Sequence, residues 1–124
     1  MTRIVLVLSA IALFAAPASA ATLKRIASKS ASGDYAVVFA SGTATKPVAV
    51  YVQVLAAPRQ PVSVNWSVVC SKGTGAGSKS GDYTTSSSLR RKVRLPMGRP
   101  DSCTVAAGGQ LDEGGRITVR LFKR

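Results

Sequence analysis

The chain has no histidine, five acidic residues, two cysteines and one tryptophan among its 124 residues. Without histidine, a Ser-His-Asp triad and an imidazole metal site are both excluded. So few carboxylates leave little for general acid–base pairs or a calcium site. Asp34, Asp82 and Asp101 stand alone in turn-like contexts, where Asp bonds backbone amides, and the one adjacent pair, Asp112-Glu113, lies in a Gly-rich turn. Nothing marks a Ser-Lys pair: no S-x-x-K and no nucleophile elbow occurs. Gly75 to Ser80 falls short of a phosphate-binding loop, because Ser78 stands where Gly must precede the Lys and no helical pattern follows. The expectation is a protein without catalysis, cofactor or metal.

What is present is positive charge: 17 Lys and Arg give a formal charge of +12. Thr2 and Arg3, the apolar run Ile4 to Ala16, Pro17 and the small residues Ala18-Ser19-Ala20 have the three parts of a cleaved secretory signal. That apolar run is shorter than the roughly 20 residues a bilayer span requires, and no later run is long enough to anchor the chain. The segment 1–20 is read as a signal peptide, 21–33 as a flexible arm or weak first strand, and 34–124 as one domain. The expected location is secreted, or otherwise extracytoplasmic.

Period-2 alternation dominates from residue 35 onward. Tyr35, Val37 and Phe39 share one face, and Gly42 and Lys46-Pro47 mark a turn. Val48, Val50, Val52 and Val54 alternate with Ala49, Tyr51 and Gln53, and Pro58 and Pro61 bracket the next turn. Val62, Val64, Trp66, Val68 and Cys70 make the strongest strand signal, with Trp66 assigned to the core. Ser71 to Ser88 is rich in Ser, Gly and Thr and reads as a mobile loop or a long sheet-to-sheet crossing. Leu89 to Leu95, Cys103 to Ala107 and Ile117 to Leu121 alternate again, and no helical period or internal repeat follows residue 20. This pattern predicts an all-β fold: a small antiparallel β-sandwich of six to seven strands, immunoglobulin-like in size, with a small β-barrel as the alternative.

Cys70 and Cys103 both fall on apolar strand phases in a chain marked for export, which predicts a disulfide. In the chain-entropy picture, closing so long a loop contributes roughly 3.5–4 kcal/mol. Trp66 precedes both cysteines on one strand, whereas an immunoglobulin core places its Trp between them, so the likeness is architectural only. Asn65-Trp66-Ser67 matches a glycosylation sequon, read as a chance match.

The most informative feature is the basic surface. Arg90, Arg91, Lys92, Arg94 and Arg99 cluster, and Arg116, Arg120, Lys123 and Arg124 form a second group. Arg90, Lys92 and Arg94 share one outward face and Arg116 and Arg120 another. If their strands lie in one sheet they make a cationic plate suited to a polyanion or an envelope component. No recognition helix is visible, and Tyr51 and Tyr83 are the only aromatics expected to be available for base stacking. Sequence-specific nucleic-acid binding and sugar binding are therefore both disfavoured. The functional expectation is a non-enzymatic secreted or envelope-associated binding or structural module. The alternative is a secreted inhibitor of an extracellular enzyme, presenting Ser71 to Ser88 or Arg94 to Pro100 as its loop.

Overall fold

The computed structural model describes residues 23–124. The expected signal peptide lies outside the described residues. Eight strands follow one another: β1 (Lys24–Gly33), β2 (Val37–Thr45), β3 (Val50–Ala57), β4 (Val62–Lys72), β5 (Gly75–Thr85), β6 (Arg91–Val93), β7 (Ser102–Leu111) and β8 (Gly115–Lys123). They form two antiparallel four-stranded sheets, β1-β8-β3-β6 and β2-β7-β4-β5, packed face to face as a sandwich. Among the described residues no helix is long and apolar enough to cross a membrane.

The core is the set of inward positions of both sheets. Val50, Val52 and Val54 on β3 and Ile117, Val119 and Leu121 on β8 meet Val62, Val64 and Val68 on β4 and Val105 and Leu111 on β7. β-branched side chains suit such a half-buried pleated surface, and each large one contributes about 1.5–3 kcal/mol by leaving water. Cys70 and Cys103 are bonded to each other. They stand directly opposite on the neighbouring strands β4 and β7, Cα atoms 4.0 Å apart, so the staple lies within one sheet and leaves apolar contact to hold the two sheets together.

The structure corrects several readings of the sequence. Residues 24–33 form a full ten-residue strand. The segment 71–88 is largely strand: β5 pairs with β4 from Val62↔Thr85 to Lys72↔Gly75, leaving a tight turn at Gly73-Thr74. Gly73, at φ +60°, occupies the first central position, where a II′ hairpin turn needs glycine. After β5 only residues 86–90 are left to carry the chain across to β6 in the other sheet. The expected strand Leu89 to Leu95 shrinks to Arg91–Val93, and Gly42, expected in a turn, lies inside β2.

The largest correction concerns the aromatics: Tyr51 and Tyr83 are not the only available ones, since the phase of β2 turns Tyr35 and Phe39 outward. Tyr35, Val37 and Phe39 are 72%, 62% and 61% exposed, whereas Ala36, Val38, Ala40 and Ala44 are buried. The cause is the close approach of β1: a Cβ on Gly42 would stand 2.9 Å from the Ile26 carbonyl oxygen. Only small side chains fit between the sheets there, so the large apolar ones face out.

Candidate functional site

The outer face of the β1-β8-β3-β6 sheet is built by the strand register. One row across it reads Arg25, Phe122, Tyr51, Lys92; the next reads Ser28, Arg120, Gln53; the last reads Ser32, Arg116, Ala57. Arg116 and Arg120 are therefore in the same sheet as Lys92, separated from it by β3. Arg90 joins them from the crossing segment, its guanidinium 4.5 Å from the centre of the Phe122 ring. Stacking on that ring holds the planar group in place while its N–H fork stays free to reach an anion, so less side-chain freedom is lost on binding. No acidic side chain occupies any of these rows.

Of the five cations read from the sequence, Arg90, Lys92, Arg116 and Arg120 share this face, and Arg94 is exposed just beyond the end of β6. Arg25 is an addition that sequence reading missed, because a β-bulge between Arg25 and Ala27 breaks the alternation of β1. Arg91 takes the opposite phase and lies 3.9 Å over the Tyr83 ring, so neither it nor Tyr83 contributes to the plate. Burial pushes the Tyr83 hydroxyl above its ordinary value of 10.0, while the Arg91 charge works against that rise. Between Lys92 and the β8 cations, Gln53 donates to the Ser88 carbonyl at 2.8 Å and ties the crossing segment to the sheet. The buried Arg120 Nε and Gln53 Oε1 are both without a partner.

The loop after β6 is braced on several sides. Lys72 Nζ donates to the Gly98 carbonyl at 3.3 Å, Asp101 N to the Ser71 carbonyl at 2.8 Å, and Lys46 N to the Asp101 carbonyl at 2.9 Å. Pro96 and Met97 lie against Gly77, where a Cβ would come within 3.3 Å of each. Arg99 has φ +51°, a left-handed turn, so the loop cannot offer an enzyme cleft an extended strand through Arg99. The other loop considered for inhibition, 71–88, is tied into the sheet as β5.

The opposite outer face, on β2-β7-β4-β5, has no cation in any of its rows, which run from Val37, Gln110, Ser63, Thr84 down to Thr45, Ser102, Ser71, Ala76. Asp82 is its one charged side chain. No group of three or more acidic or cysteine side chains among the described residues could hold a metal.

Comparison with known proteins adds little. No protein-family profile and no curated protein matches the chain. Among solved structures it is similar to TmCBM61 in complex with beta-1,4-galactotriose, at TM-score 0.45 and 10% identity over 84% of this chain and 90% of that one. At that level the likeness carries nothing about what this chain binds.

Proposed function

We propose that the protein is a non-catalytic, extracytoplasmic binding module that holds a polyanionic polymer on the outer face of the β1-β8-β3-β6 sheet. One observation carries this reading: Arg25, Arg90, Lys92, Arg116 and Arg120 share with Tyr51 and Phe122 a single sheet face whose rows include no carboxylate. Cations without counter-charges raise the local potential and attract a polymer of repeated negative charge, which gains by releasing its condensed counterions. A regular sheet presents charge at fixed strand spacing, about 4.8 Å, and has no element to insert into a groove, so recognition is of charge density rather than of sequence.

The test is binding to heparin, DNA and a teichoic-type polymer over a range of salt. Affinity should fall steeply with salt for all of them. The Arg90→Gln, Lys92→Gln, Arg94→Gln triple variant should lose about 2–3 units of the log–log salt slope, close to one per lost contact. Equal affinity and equal slope in the variant and the wild type would reject the reading.

A further inference from the structure

The second outer face contains a site of different chemistry. Its second row runs Phe39, Gly108, Asn65, Asp82 across four strands, a span of about 14 Å. Gly108 lets its neighbours close over the backbone: a Cβ there would lie 2.8 Å from Phe39 Cδ1 and 2.7 Å from Asn65 Oδ1, so the ring and the amide sit directly above it. The groove around it, about 430 Å³, is flanked by Val37, Ser63, Thr84 and Gln110. The neighbouring row, Ser41, Ala106, Ser67, Ser80, extends it with a shallow hydroxyl-bearing floor. Asn65 accepts the Gly108 N–H at 3.1 Å, which fixes the amide and leaves its Nδ2 donors over.

We propose that this groove binds an uncharged carbohydrate chain, laid across the strands from Phe39 to Asp82. The chemistry at each end selects that class. Phe39 is an exposed flat ring suited to the C–H face of a sugar. At the other end Asp82 accepts hydrogen bonds from neighbouring hydroxyls, and Asn65, Gln110, Ser63 and Thr84 supply a mixed donor and acceptor set between. A phosphate or sulfate polymer is turned away, because in a protein of charge +12 this face carries one carboxylate and no cation. A protein partner fits less well: the exposed apolar side chains are Tyr35, Val37 and Phe39 along the β2 rim and Val69 two rows away on β4, with Ser, Thr, Ala and Gly filling the rows between rather than a contiguous apolar centre. The span accommodates about three sugar rings. This site is independent of the cationic face.

The experiment is native affinity electrophoresis of the purified protein through dextran, a mixed-linkage β-glucan and a galactomannan, with NMR titration by neutral hexasaccharides at about 1 M salt. Charge attraction is then screened within about 3 Å. Retardation by at least one polysaccharide, with shifts confined to β2, β7, β4 and β5, is expected. Phe39→Ala and Asp82→Asn, both exposed, should each weaken binding about tenfold, and Gly108→Val should weaken it by displacing the Phe39 ring and the Asn65 amide. Arg90→Gln with Lys92→Gln should leave this binding unchanged. Failure of every neutral glycan at millimolar concentration would overturn the proposal. So would binding indifferent to Phe39→Ala and Asp82→Asn, or a concentration-dependent dimer that Phe39→Ala dissolves.

Discussion

The two outer faces of this sandwich are made by the same backbone geometry and carry opposite chemistry. On β1-β8-β3-β6 the outward positions hold Arg25, Lys92, Arg116 and Arg120, beside two aromatic rings. On β2-β7-β4-β5 the corresponding positions are mostly Ser, Thr, Ala and Gly, with Phe39 at one side and Asp82 at the other. The inner faces differ far less, since both are aliphatic. The core therefore sets the fold, while the outward half of each strand was free to diverge. The difference teaches that net charge alone misdescribes this molecule: +12 is not a uniform coat.

Removing what the faces share should have the largest effect. Reducing or replacing the Cys70–Cys103 bond should cost about 2–5 kcal/mol, read as a lower denaturation midpoint. Both binding activities should fall together, because the bond pins β4 to β7. Mass spectrometry without reductant should show two hydrogens fewer than the reduced chain.

Gly108 and Gly109 sharpen the comparison within one dipeptide. A Cβ at Gly109 would stand 2.7 Å from Ile117 Cδ1, inside the core, whereas one at Gly108 meets two side chains on the outer face. Gly109→Ala should destabilise by about 1–3 kcal/mol through overpacking. Gly108→Ala should cost less and act on the groove. Equal losses of stability would mean that the outer row is packed as tightly as the core.

Single substitutions on the cationic face come next. Arg120→Gln should lower the polyanion salt slope by close to one unit and change stability by about 0.5 kcal/mol or less. Arg94, beyond the end of β6, should contribute less to the slope than Arg120 if the flat sheet is the binding surface.

The smallest effect is in alkali. The folded protein raises the Tyr83 hydroxyl above 10.0 chiefly through burial, so the fold favours the neutral phenol. That contribution is complete below the ordinary value and is lost as pH climbs through the raised one. Unfolding followed above neutral pH should show Tyr83→Phe less sensitive to alkali than the wild type.

The architecture was legible because apolar β-branched residues alternate through β3, β4 and β8. The disulfide was legible from the shared inward strand phase of Cys70 and Cys103. β5 was not, because its glycines look like loop residues and serve as space: a Cβ on Gly81 would fall 2.8 Å from the Trp66 ring, and Gly77 receives Pro96 and Met97. The exposure of Tyr35 and Phe39 was not legible, because alternation puts them on one face without saying which face meets the core. The series Ala36, Val38, Ala40, Gly42, Ala44 was the available signal, since a narrow gap between sheets selects small residues. Of the cationic face, Arg90, Lys92, Arg116 and Arg120 were legible from alternation, while Arg25 was hidden by its bulge.

The one-sided placement of charge also gives the molecule a direction. The outward rows of one sheet carry cations and those of the other a single carboxylate, so charge is distributed unequally across the sandwich. Near a negatively charged wall the wall's field acts on that asymmetry over a distance set by the Debye length, about 8 Å at physiological salt. On the proposed reading the molecule would land with β1-β8-β3-β6 against the wall and Phe39 turned to the open solution. Raising the salt weakens this alignment before it weakens the fold, so adsorption at low and at high ionic strength should leave different sides of the same molecule exposed.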